Sequence, residues 1–124
     1  MRIYISGPMT GIANCNKEAF AKEAELWRSR GHFVINPHDI TPLLGSEQEI
    51  AEAFNSVYGQ FPLCKIDDDK NPKARLVRSV MEADLAALRS CDVIVMLQGW
   101  QSSRGARTEL IEAIKCGLAV EDGE

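Results

Sequence analysis

The sequence predicts an α/β fold: a three-layer sandwich, flavodoxin-like or Rossmann-like, built on a parallel sheet of about four strands. Two observations carry that expectation. Short, nearly continuous apolar runs alternate with longer segments of helical periodicity, the pattern of buried parallel strands joined by crossover helices. Crossovers of one hand then place helices on both faces of the sheet. With 124 residues, 45% hydrophobic and 26% charged, the chain is expected to form one domain over residues 1–124 with a sizeable core.

The elements follow in order. Arg2-Ile-Tyr-Ile-Ser6 is a β-branched and aromatic run stopped by Gly7-Pro8, hence a strand and a turn. Asn16 is expected to cap a helix from residue 17 to about residue 30, with Phe20, Ala24 and Trp27 at helical spacing. Gly31 ends it, and Phe33-Val-Ile35 forms a second strand. Ser46 and Glu49 make a capping box that opens a short helix to about residue 57. Residues 58–73, with Pro62, Asp67-Asp68-Asp69 and Asn71-Pro72, read as a surface loop whose acids form a solvated face. Asn71 and Pro72 start a long helix to about residue 90, followed by a strand over residues 92–97. A helix from about residue 106 to residue 116 follows, closed by Gly117, and residues 118–120 form the last strand.

Charge and cysteine usage narrow the function. A net charge of −4 offers no broad basic face, so neither a nucleic-acid polymer nor a membrane is an expected partner. Residues 93–97, the longest apolar run, fall far short of a membrane span. The first residues read as strand and turn rather than an apolar leader, so a cytoplasmic location is expected. Cys15, Cys64, Cys91 and Cys116 are scattered, with no C-x-x-C pair, and are expected to be buried or half-buried free thiols. His32 and His38 do not make a metal site between them, and no metal is expected.

The most informative segment runs from Cys91 to Glu109: an apolar strand, a small polar loop, then a helix with Glu109 in its expected first turn. Ligands of open α/β sheets sit at such loops, beyond the carboxyl ends of the strands. The helix dipole would keep a carboxylate there ionised, fit to be a nucleophile; the same dipole also favours an ordinary first-turn acid. Asp84 is the second candidate. It lies four residues after Val80 and four before Leu88, inside an apolar stripe, where a carboxylate needs either a structural hydrogen bond or a role as a site acid. Glu82 and Arg89 point elsewhere and are solvated. Tyr4 faces the opposite side of its strand from Ile3 and Ile5, as a core aromatic or as a donor to a carboxylate in the cleft. The turn containing Gly7, Pro8 and Met9 lacks dinucleotide and P-loop spacing, yet puts glycine where backbone approaches a ligand. Trp100 offers a ring for stacking on a nucleobase, or a dimer contact. No G-x-S-x-G elbow is present, which argues against acyl transfer.

These residues resemble the nucleoside 2-deoxyribosyltransferase superfamily over nearly the whole chain. The resemblance rests on Ile3-Tyr-Ile-Ser-Gly-Pro-Met9, on Asp84 ahead of the third strand, and on Glu109-Leu-Ile-Glu-Ala-Ile-Lys-Cys-Gly117. The Leu-Gln-Gly-Trp and Ser-Arg-Gly-Ala wording is most similar to a branch common in phages and prophages. The resemblance implies attack by Glu109 on the anomeric carbon of a 2-deoxynucleoside and a covalent glycosyl intermediate. Tyr4 would orient Glu109, and Asp84 would handle the proton on the leaving base. Glu112, one turn on, would be dispensable. The chemistry implies no cofactor and a small nucleoside or nucleotide as substrate; a homo-oligomer is expected because small sheets of this type often assemble as dimers and the chain is rich in apolar residues. Where the transferases carry a base-recognising Asp, this chain has Ser103, with Gly105 two residues later. That pair resembles the deoxynucleoside 5′-monophosphate N-glycosidases, in which such residues meet the phosphate. Ile111 replaces a small residue, and the chain stops close to its last strand, so hydrolysis is expected at least as much as transfer. The rival expectations are a nucleotide-binding module without catalysis and a structural oligomer subunit.

Overall fold

The computed structural model describes all residues, Met1–Glu124. Four strands, β1 (Arg2–Ser6), β2 (Phe33–Ile35), β3 (Val93–Met96) and β4 (Ala119–Asp122), form one sheet in the order β2-β1-β3-β4. Every pairing is parallel. Five α-helices connect them: α1 (Lys17–Ser29), α2 (Pro37–Ile40), α3 (Glu47–Tyr58), α4 (Pro72–Arg89) and α5 (Arg104–Lys115). The fold is the three-layer α/β sandwich that the alternation of apolar runs and helical segments predicts. No helix is long and apolar enough to cross a membrane.

The order places a topological switch between β1 and β3. The chain steps outward from β1 to β2 through α1, then back across β1 to β3 and on to β4 through α4 and α5. Crossovers of one hand must therefore put α1 on one face and α4 and α5 on the other. The two cores agree. Ile3, Ile5, Val93, Val95 and Leu97 pack on Phe20 and Ala24 of α1. Tyr4, Ile94 and Met96 pack on Leu88 of α4 and on Ala106 and Ala113 of α5. Strand alternation is the cause: consecutive side chains of β1 and β3 serve opposite faces. Helix α3 is an outer element, its Ala53 and Val57 seated on Ala74, Val77 and Met81 of α4.

Local chemistry explains most boundaries. Ser46 and Glu49 make the expected capping box of α3. The Asn71 side chain accepts from the Lys73 amide at 2.9 Å, and Pro72 occupies the first helical position of α4. Residues 59–71 carry no helix or strand, and Asp67, Asp68 and Asp69 are exposed.

Three expectations need correction. Asn16 does not cap α1 with its side chain. Its backbone is left-handed (φ 60°), and its amide instead donates to the Pro8 carbonyl at 2.9 Å. Asn tolerates that region because its short polar side chain bonds locally. Between β2 and α3, in a stretch for which no element was expected, residues 37–40 and 41–43 form short helical turns, the first started by Asn36 and Pro37. Cys116 is exposed rather than buried, while Cys91 is buried and Cys15 and Cys64 are half-buried; all four are free. Finally, α5 begins at Arg104, two residues earlier than expected, with Ser103 as its cap.

Candidate active site

The carboxyl ends of β1 and β3 and the helices α4 and α5 meet on one face of the sheet. Strand β1 presents Tyr4 and Ser6 there, two residues apart and therefore on the same side. Both are fully buried. Helix α4 brings Asp84 from within its buried stripe of Val77, Val80, Met81 and Leu88. Helix α5 brings Glu109 from its buried face, beside Ala106 and Ala113.

Glu109 is 5% exposed, and each of its carboxylate oxygens has a donor. The Tyr4 hydroxyl donates to Oε2, and the Ser6 hydroxyl donates to Oε1 at 2.7 Å. Burial pushes Glu109 up to about 7, and the two hydroxyl donors pull it down against that trend. Asp84, also 5% exposed, has a buried Oδ1 with no hydrogen-bond partner. Burial first, and then the charge of Glu109, raise Asp84 to about 8. Tyr4 is driven well above its ordinary value by burial and by the charges of Glu109 and Asp84, so it stays a phenol and a donor. Two buried acids with raised proton affinity thus share one face of the sheet, and of the two Glu109 alone has hydrogen-bond donors that stabilise its charge.

The physical support for a charge on Glu109 differs from the one read from sequence. With Ser103 as the cap, the first turn of α5 carries no acid, and Glu109 is in the second turn. The dipole's influence falls off within the first turn. Two hydroxyl groups on β1, rather than the helix terminus, hold the charge. Ser6 was missed at the sequence level. The signal was its place two residues after Tyr4, which strand geometry puts on Tyr4's own side.

The remaining candidates divide. Trp100 is half-buried and packs against the core around Tyr4, on the same face as the acids. Ser103 caps α5, its Oγ accepting from the Ala106 amide at 3.2 Å, and Gly105 lies half-buried at the helix start. Pro8 is buried beside Gly99, so the turns after β1 and β3 touch. Gly7 is buried for a packing reason: a Cβ there would stand 2.7 Å from the Leu97 Cβ, a clash between the ends of β1 and β3. Met9 packs against the α1-side core with Ile3 and Ile5, on the face opposite Glu109. The Met9 side chain thus lies on the α1 side of the sheet, away from the acid pair. Glu112 lies outside the site, accepting from Arg89 Nε at 2.9 Å, and Arg89 also pairs with Glu82 at 3.3 Å.

A family model described as a domain of unknown function (DUF4406) matches residues 1–58 and 71–122. The chain belongs to this family. Comparison with curated proteins found no match, and comparison with solved structures found none. Tyr4, Ser6, Asp84, Ser103 and Glu109 all fall within the matched part of this DUF4406 domain. Apart from residues 123–124, the unmatched residues are 59–70, the irregular loop between α3 and α4, with Phe61 and Leu63 each 81% exposed. The loop that distinguishes this chain from the DUF4406 model is thus separate in sequence from the buried acid pair.

Proposed function

We propose that this protein cleaves the N-glycosidic bond of 2-deoxynucleosides or their 5′-monophosphates through a covalent glycosyl ester on Glu109. The observation that carries the reading is a buried carboxylate held at both oxygens, paired with a second buried carboxyl that has a free oxygen and a raised proton affinity. The resemblance to nucleoside 2-deoxyribosyltransferases and deoxynucleoside 5′-monophosphate N-glycosidases supports the choice of substrate.

The reaction follows from the division of roles. An oxygen of Glu109 attacks the anomeric carbon as the C1′–N bond breaks through an oxocarbenium-like transition state. The bonding pair leaves with the base nitrogen, and Asp84 supplies its proton there. Tyr4 keeps Glu109 oriented throughout. In the second half, Asp84, now a carboxylate, takes a proton from water as the water oxygen attacks the anomeric carbon. The ester breaks and Glu109 returns as an anion. A second nucleobase in place of water gives transfer instead of hydrolysis. Trp100, half-buried on the same face as the acids, supplies an aromatic surface for the base.

The test incubates purified protein with each deoxynucleoside and each 5′-monophosphate and separates free base by chromatography. Release of base supports the reading, and no release from any of them sinks it. A ligand-induced rise in melting temperature without release would favour a binding module instead.

Ser103 separates monophosphates from nucleosides. Its Oγ accepts from the Ala106 amide, which leaves its proton available to a phosphate oxygen. Ser103→Ala is expected to cost about 1 kcal/mol of stability through the lost cap, read as a lower melting temperature. It is also expected to raise KM for monophosphates while leaving KM for free nucleosides nearly unchanged. An equal rise for both substrates would remove Ser103 from phosphate recognition.

A further inference from the structure

Ser6 has no packing reason to be a serine. It stands at the end of β1 in register with Met96, fully buried, on the side of the sheet that carries Tyr4, Ile94 and Met96. A hydroxyl buried in such surroundings loses hydration and must find a partner. The partner of its Oγ is Glu109 Oε1, at 2.7 Å. We propose that Ser6 is a positioning residue of this site, holding Oε1 of Glu109 while Tyr4 holds Oε2, so that the carboxylate is fixed in one orientation and kept as the anion beside Asp84.

The two donors are not equivalent. The Tyr4 phenol is carried on a rigid ring within the core and gives the stronger bond. The Ser6 hydroxyl is a weaker donor on a freely turning C–O bond. Each oxygen of Glu109 thus has one hydroxyl donor from β1, and loss of either leaves that oxygen without a partner. The groups facing Glu109 that can titrate are Tyr4 on β1 and Asp84 on α4; Cys91 acts on Tyr4, and β3 contributes only Ile94 and Met96 to that side. Removing the Ser6 donor leaves Oε1 without a partner, so Glu109 competes with Asp84 for the proton the pair holds.

The assignment rests on Glu109 being the nucleophile, and its test has a readout that needs no turnover. Carbon-13 NMR of glutamate-labelled protein follows the Glu109 carboxyl through a pH titration, the signal being identified by its loss in Glu109→Gln. Ser6→Ala and the nearly isosteric Ser6→Cys are expected to raise the Glu109 midpoint by about one pH unit, the effect of one lost hydrogen bond to a charge. Ser6→Thr, which keeps the hydroxyl, is expected to titrate near wild type. In the base-release assay, Ser6→Ala and Ser6→Cys lower kcat about tenfold, one pH unit's worth of the same interaction, with KM within about twofold. The acid limb of their pH profile moves upward by the same amount. Unchanged midpoints in Ser6→Ala and Ser6→Cys, or a midpoint in Ser6→Thr shifted as far as in Ser6→Ala, overturn the proposal. A shifted titration in a protein that releases no base overturns the nucleophile and leaves the hold of Ser6 on Glu109 standing. An unshifted titration in an active enzyme overturns Ser6 alone.

Discussion

Glu109→Gln abolishes base release, with a fall in kcat of about 10⁴-fold or more, because it removes the nucleophile while keeping its shape. The variant should remain folded. Glutamine fills the same volume between Tyr4 and Ser6, and its carbonyl oxygen can still accept from one of the two hydroxyls. Glu112→Gln, one turn away and bonded to Arg89 outside the site, should retain nearly full activity. Base-release rates and melting temperatures, measured side by side, check both. Equal loss in the two variants would mean that α5 is merely sensitive to substitution, and the nucleophile reading would fall. Intact-mass detection of a deoxyribosyl adduct, present in wild type and absent in Glu109→Gln, adds direct evidence of the ester.

Asp84→Asn has two effects of opposite sign. On activity, loss of the general acid lowers kcat by about 10²–10⁴-fold and removes the alkaline limb of the pH profile. In wild type that profile is bell-shaped, and both limbs are properties of the Glu109–Asp84 pair, whose proton affinities burial raises together. On stability, the sign follows from where the folded protein holds the proton. Asp84 is raised from 3.8 to about 8, so its contribution is fully present below about 4 and is lost as pH climbs toward 8. Asn cannot ionise and suffers no such loss. At pH 8 the variant should be more stable than wild type by roughly 1–3 kcal/mol, after the cost of an unpaired buried amide. At pH 4 that advantage should vanish. Comparing melting temperatures of the two proteins across this range isolates Asp84 from exposed groups such as Glu112, which titrate alike in both. A variant less stable than wild type at pH 8 would show that Asp84 is a structural acid instead. Stability yielded to activity in this way is the ordinary mark of a strained site.

Much of the fold was legible because it depends on patterns local in sequence. Strand alternation put Tyr4 opposite Ile3 and Ile5, and the structure divides them between the two cores. The Ser46–Glu49 box and the Asn71-Pro72 start were readable since each helix carries its own terminating chemistry. Failures came where local signals conflicted. At α5, Gly105 and Arg104 masked a start that Ser103 alone defines, with no acid three residues on to complete a capping box. At Asn16, a good capping residue was diverted by a tertiary partner, the Pro8 carbonyl.

By itself the sequence determined the alternation of strands and helices, the parallel sheet, and the burial of Asp84 on its stripe, because periodicity and helix-stop chemistry are written within short windows. Only the tertiary structure decided that Glu109 is held by Ser6 as well as Tyr4, that Met9 turns to the other face, and that the acids' ionisation follows from burial and hydroxyl donors rather than from a helix end. The hold on Glu109 comes from contacts between residues about a hundred positions apart, and proton affinity depends on the dielectric and partners that such contacts create.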